Sequence, residues 1–164
     1  AFIHGLLNDN DKISVSKSYI GVDIKKHDNI IEIENICNEN DINFRFIEDS
    51  DLNIKIENTD LLFIDSWHCY GQLIRELELH HKNVNKYIII HDTSIDEFTS
   101  EIVRIPGRWS KPNYFEIIKK SGFNKYELTT GLWPAVINFL KLNKEWKFKE
   151  RFTNNNGLTI LEKI

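Results

Sequence analysis

Asp60-Leu61-Leu62-Phe63-Ile64-Asp65-Ser66-Trp67-His68-Cys69-Tyr70 decides how the chain is read. Leu61 to Ile64 is an unbroken apolar run that ends on an acid. Such a run suits a strand covered on both faces, where alternation with polar residues is not required. Tyr70 to His81 then brings Leu73 and Leu77, with Ile74, onto one side of a helix. Lys86-Tyr87-Ile88-Ile89-Ile90-His91-Asp92 repeats the apolar strand and again ends on polar groups. Apolar strands alternating with helices imply an α/β fold with a parallel sheet. In open sheets of this kind, ligands bind outside the C-terminal strand ends. Asp65, His68, His91 and Asp92 therefore stand out as a constellation that two neighbouring strand tips could bring together.

The same grammar extends towards the N-terminus. Ser18 to Ile24 reads as a strand with Asp23 near its end, Asn29 to Asn38 as a helix, and Ile42 to Ile47 as a strand closed by Glu48, Asp49 and Ser50. Phe2 to Leu7 reads as the tail of a helix ended by the Asn/Asp turn at 8–11. On the other side, residues 93–130 are irregular and contain Pro106, Gly107, Pro112 and Gly122, with a short helix over 113–120. This stretch reads as an insertion lying over the strand ends, a lid or substrate loop. Gly131-Leu132-Trp133-Pro134 opens a further helix, the proline falling in the first turn, where it is tolerated. Trp146 to Phe152 and Leu158 to Glu162 form a hairpin across the Asn/Gly loop at 153–157.

Composition narrows the function classes. The 164 residues are 41% hydrophobic, enough for a core, and carry 21 basic against 25 acidic side chains, a net charge of −4. That balance opposes a grip on nucleic acid by phosphate neutralisation and opposes a basic membrane patch. No apolar run approaches the roughly 20 residues of a membrane span. Two cysteines, Cys37 and Cys69, make neither a disulfide framework nor a metal-ligand spacing. The expectation is one domain over 1–164 in a soluble, cytoplasmic protein.

The blocks D-x-x-F-I-D-x-x-H-x-Y at 60–70 and H-D-T at 91–93, with Gly131 to Val136 and Asn155 to Thr159, resemble class I S-adenosylmethionine-dependent methyltransferases. The similarity is to the branch of small-molecule and sugar O-methyltransferases that includes cephalosporin-hydroxylase-like sequences. It implies a Rossmann-like, mostly parallel sheet with a C-terminal antiparallel β-hairpin. One part of the pattern is missing. That family cradles the methionine end of its cofactor in a Gly-rich turn, and none of the seven glycines here form a G-x-G pair. Against the family the sequence starts inside the helix after that turn, so the domain is expected to be N-terminally incomplete, by truncation or by loss.

The resemblance implies roles. Asp23 would bind the ribose hydroxyls of S-adenosylmethionine, with Glu48, Asp49, Ser50 and Asp65 completing the cofactor side. Asp65, His91 and Asp92 would hold Mg²⁺ or another divalent cation, His91 standing where the family often has an acid. That exchange leaves room for a softer metal or for none. His68 would be the general base that removes the acceptor's hydroxyl proton, with Asp65 its rival. Trp67, Tyr70 and Trp109 would contact the acceptor, a sugar or nucleotide sugar; Arg104 and Arg108 would suit a phosphate on it. A homo-oligomer is compatible with the insertion. Two other readings are a non-catalytic methyltransferase-like domain and a dinucleotide oxidoreductase; the absence of G-x-G-x-x-G opposes the latter.

Overall fold

A computed structural model describes residues 17–107 and 111–164, and the side chains of all of these except 111–114. The expected helix tail at 2–7, Arg108 and Trp109 lie outside the described residues. Contacts divide the chain into two compact units, 1–54 and 55–164, within the span expected to form one domain.

The first unit carries β1 (Lys17–Asp23), α1 (Asn29–Glu39) and β2 (Ile42–Glu48). β1 and β2 pair in parallel, Tyr19 opposite Phe44 and Asp23 opposite Glu48. The crossover helix α1 connects them, as parallel neighbours require. Among the described residues of this unit, Cys37 on α1 and Ile42 on β2 are the buried apolar ones.

The second unit contains β3 (Thr59–Ile64), α2 (Tyr70–His80), β4 (Val84–His91), α3 (Glu101–Arg104), α4 (Lys111–Ser121), α5 (Lys125–Thr129), α6 (Leu132–Leu142), β5 (Trp146–Phe152) and β6 (Leu158–Lys163). Its sheet has the order β3-β4-β6-β5. β3 and β4 are parallel, whereas β6 is antiparallel to both β4 and β5. The expected single, mostly parallel sheet is thus corrected to a parallel pair in one unit and a mixed sheet in the other. The reason is the way the hairpin docks. It joins the sheet through its second strand, so the one reversed strand accounts for two of the pairings while β3, β4 and β5 run the same way.

Periodicity accounts for the core. α6 buries Leu132, Ala135, Val136 and Phe139, the i, i+3, i+4, i+7 positions of one helical face. α2 buries Leu73, Ile74 and Leu77, and β4 turns Ile88 and Ile90, two residues apart, inwards together with Val84 at its start. These join Ile64, Trp146 and Leu161 in one cluster, so α2 and α6 pack together with the sheet.

The described residues of 93–107 and 111–130 include three helices, α3, α4 and α5. Thr93, Asp96 and Ser100 are buried, and α5 opens on a capping box: Asn124 Oδ1 accepts from Glu127 N at 3.0 Å, and Glu127 Oε2 accepts from Asn124 N at 2.8 Å. His80 and His81, at the end of α2, are buried. His81 lies edge-on to Phe139, and burial pushes its imidazole pKa down against the pull of Glu145.

Candidate metal centre

β3 and β4 are adjacent and parallel, so their C-terminal ends coincide. β3 ends at Ile64 and β4 at His91, which puts Asp65 and Asp92 side by side just beyond the last sheet bonds. Asp92 takes φ 57°, a left-handed conformation that Asp tolerates better than most residues. The chain turns there, and Asp96 N donates to Asp92 O at 3.1 Å. His68 stands two residues before the start of α2, tied by Glu101 N donating to its carbonyl at 3.2 Å.

The His68 imidazole lies among carboxylates. Its Nε2 is 3.0 Å from Asp92 Oδ2 and 3.4 Å from Asp65 Oδ1. Its Nδ1 is 3.1 Å from Asp96 Oδ2 and 3.6 Å from Glu101 Oε2. Burial alone would lower the imidazole pKa. The hydrogen bond to Asp65 and the charges of Asp92, Glu101 and Asp96 outweigh it and hold the pKa above the ordinary value. Reciprocally, the His68 hydrogen bond keeps the Asp65 carboxyl below its ordinary value against desolvation, helped by the nearby His91 and His68 charges. Asp65 is the open member, its side chain 45% exposed against 10% for Asp92.

Ligand atoms of Asp65, His68 and Asp92 all lie within 4.8 Å of one another. Donors at about 2.0–2.1 Å from a small divalent ion stand about 3 Å apart when adjacent. The 3.0 and 3.4 Å separations therefore require little adjustment. A second observation points the same way. Asp92 Oδ1 and His91 Nδ1 are buried and find no hydrogen-bond partner among the described residues, although they face each other at 3.2 Å. One imidazole with two carboxylates suits Mn²⁺ or Zn²⁺ better than an all-oxygen Mg²⁺ site.

The expected ligand set was Asp65, His91 and Asp92. The structure brings those three together, His91 Nδ1 lying 3.6 Å from Asp65 Oδ1, but it is His68 that completes the closest group. Trp67 stacks on Phe123 and lines a small hollow with Asp65, Ser66, His68 and His91. Tyr70 turns elsewhere: it packs against the core, edge-on to Tyr126, and its hydroxyl accepts from Asn138 Nδ2 at 3.0 Å. Buried Cys69 has its thiol pushed up to about 12, mainly by desolvation, so it is not a nucleophile.

In the first unit, Asp23 and the triplet Glu48, Asp49, Ser50 come together at the C-terminal ends of β1 and β2, where Asp49 N donates to Asp23 O at 3.0 Å. Their side chains mostly make local turn bonds. Lys25 N donates to Asp23 Oδ1 at 3.2 Å, and Asn53 Nδ2 to Asp49 Oδ1 at 2.9 Å.

The residues that the sequence reading missed are Asp96 and Glu101, and Arg104, read there as a partner for an acceptor phosphate, is instead paired with Asp96. Asp96 has zero exposure and accepts from Arg104 Nε at 2.6 Å and Nη2 at 2.9 Å. Their only signal was an acid three residues after the H-D-T block in a stretch read as irregular. No family model matches the sequence, and no curated protein matches it. Among the described residues, no helix is long and apolar enough to cross a membrane.

Proposed function

We propose that the chain is a cation-assisted, S-adenosylmethionine-dependent O-methyltransferase domain acting on the hydroxyl of a sugar or similar small acceptor. The observation that carries this reading is the meeting of Asp65, His68 and Asp92 at the ends of two neighbouring parallel strands. Within the second unit, the parallel pair β3–β4 and the C-terminal antiparallel hairpin β5–β6 are two features in keeping with this reading, although the chain's strands form two sheets and not the single, mostly parallel one that the resemblance implied.

The cation would be held by Asp65, Asp92 and His68 Nε2. When bound, it orients the acceptor oxygen and lowers its pKa. The methyl donor, when bound, supplies a methyl already activated on a sulfonium. What remains for the chain is to position the acceptor and take its proton. His68 is poorly suited to the second task, because its neighbours favour the protonated ring and both its nitrogens are engaged. Asp65 suits it better: ionised, partly exposed and on the rim. Trp67 offers the flat surface for a sugar face.

For the donor, the acidic strand ends Asp23 and Glu48–Ser50 suit ribose hydroxyls. The methionine end has no matching G-x-G in the sequence, and no step is drawn through it. That gap favours a second reading, a cation-holding domain of this type without transfer. Calorimetry on the EDTA-treated chain tests both. Mn²⁺ should bind, and S-adenosylmethionine should bind with or after it. Cation binding without any donor binding favours the second reading. Binding of neither removes both.

A further inference from the structure

His68 can serve the cation set only through Nε2, and only if its proton sits on Nδ1. We infer that Asp96, locked by Arg104, is the positioning residue that keeps the His68 proton on Nδ1 and turns Nε2 towards Asp65 and Asp92. The inference rests on the proposed cation site. A carboxylate can only accept, so the 3.1 Å contact between Asp96 Oδ2 and His68 Nδ1 is made by a ring N–H. Asp96 has no freedom to release that proton by turning away. Arg104 grips both of its oxygens in a fork, and the group is fully buried.

The backbone beneath it is equally confined. Leu132 N, at the start of α6, donates to Asp96 O at 2.8 Å, and Trp133 N donates to Glu97 O at 2.9 Å. Gly131 passes so close to the Asp96 and Glu97 carbonyls that a Cβ would collide with both. Downstream, Ser100 Oγ donates to Leu128 O and fixes the start of α3, which carries Glu101 and Arg104. On the far side of the ring, Nε2 faces two carboxylate oxygens at 3.0 and 3.4 Å; in the protonated ring a second N–H fills that gap, and in the neutral ring the bare lone pair leaves it to a cation. A histidine ligand whose other nitrogen donates to a carboxylate is a recurrent way to orient the ring, and losing the carboxylate weakens metal binding about 10–100-fold.

The test uses the full chain, with Zn²⁺ as a diamagnetic probe that favours imidazole. Long-range ¹H–¹⁵N spectra of the wild type at alkaline pH should show the neutral His68 ring protonated on Nδ1. Asp96→Asn should lose that single tautomer and bind Zn²⁺ about 10–100-fold more weakly by calorimetry. Asp96→Glu should recover part of the affinity, which a merely structural role would not predict. Arg104→Gln, which leaves Asp96 in place, should give a smaller loss and covers the case in which Asp96→Asn does not fold. A wild-type ring protonated on Nε2, or an unchanged Zn²⁺ affinity in a folded Asp96→Asn, overturns the inference. If the wild type binds no Zn²⁺ yet keeps the proton on Nδ1, the cation reading falls and the positioning by Asp96 stands.

Discussion

Two pairs of strand ends carry acids in this chain, and they are not alike. Asp23 and Glu48–Asp49 end β1 and β2 on an exposed rim, where the Asp23 and Asp49 side chains are spent on nearby amides. Asp65 and Asp92 follow the last residues of β3 and β4, but His68 lies between them and Asp96 stands behind it. The difference comes from the loops beyond the strands. After β2 the chain makes a short polar turn. After β4 it makes a left-handed turn at Asp92 and enters a segment held by α6, α3 and the hairpin loop. A strand-end acid marks a possible site; a packed loop makes the difference between a rim and a centre.

The largest effect should come from removing a ligand at the second pair. Asp92→Asn keeps size and tolerance of the left-handed turn while losing the charge. Mn²⁺ affinity should fall by more than the about 100-fold that loss of an outer partner causes. Calorimetry beside a circular dichroism spectrum checks it; unaltered affinity would reduce the centre to a hydrogen-bonded cluster. The next effect is on the packed loop. Gly131→Ala pushes a methyl into the Asp96 and Glu97 carbonyls and should destabilise the fold by about 1–3 kcal/mol, read from urea denaturation.

Smaller still is a contrast in pH dependence between two histidines. His68 has a raised folded pKa, so its contribution is complete below its unfolded value, about 6.5, and is lost as pH rises through the folded value. His81 has a lowered one, so its contribution is present above about 6.5 and is lost as pH falls through the folded value. Melting curves with EDTA across this range should show His68→Gln removing a decline with rising pH and His81→Gln removing a decline with falling pH. The least effect belongs to the first rim: Asp23→Asn should leave stability within about 0.5 kcal/mol and Mn²⁺ affinity unchanged. A fall in Mn²⁺ affinity would erase the distinction between the two rims.

Much of the molecule is legible in its sequence. Strand and helix positions follow from apolar runs and helical spacing, and Asn155-Asn156-Gly157 announces the hairpin through residues that accept positive φ, here 47°, 67° and 100°. Asp65, His68, His91 and Asp92 are readable as strand-end residues. The strand order is less so, because nothing in Leu158 to Glu162 says which neighbour β6 will choose. Burial of His81 is hidden too, since it depends on α6 and on Glu145, far along the chain. Asp96 and Arg104 lie in a segment without periodicity, where only tertiary contacts reveal which charges meet.

The hairpin loop has a consequence in time. Asn156 O accepts from both Ser94 N and Ile95 N at 2.9 Å, and Gly157 leaves no room for a side chain against Ser94. β6 then runs between β4 and β5. During synthesis the ribosome releases Asp92 well before these residues exist, so a nascent chain halted short of Asn156 would present it on a loop without this anchor. The turn that carries Asp92 gains this anchor only once the hairpin has been translated.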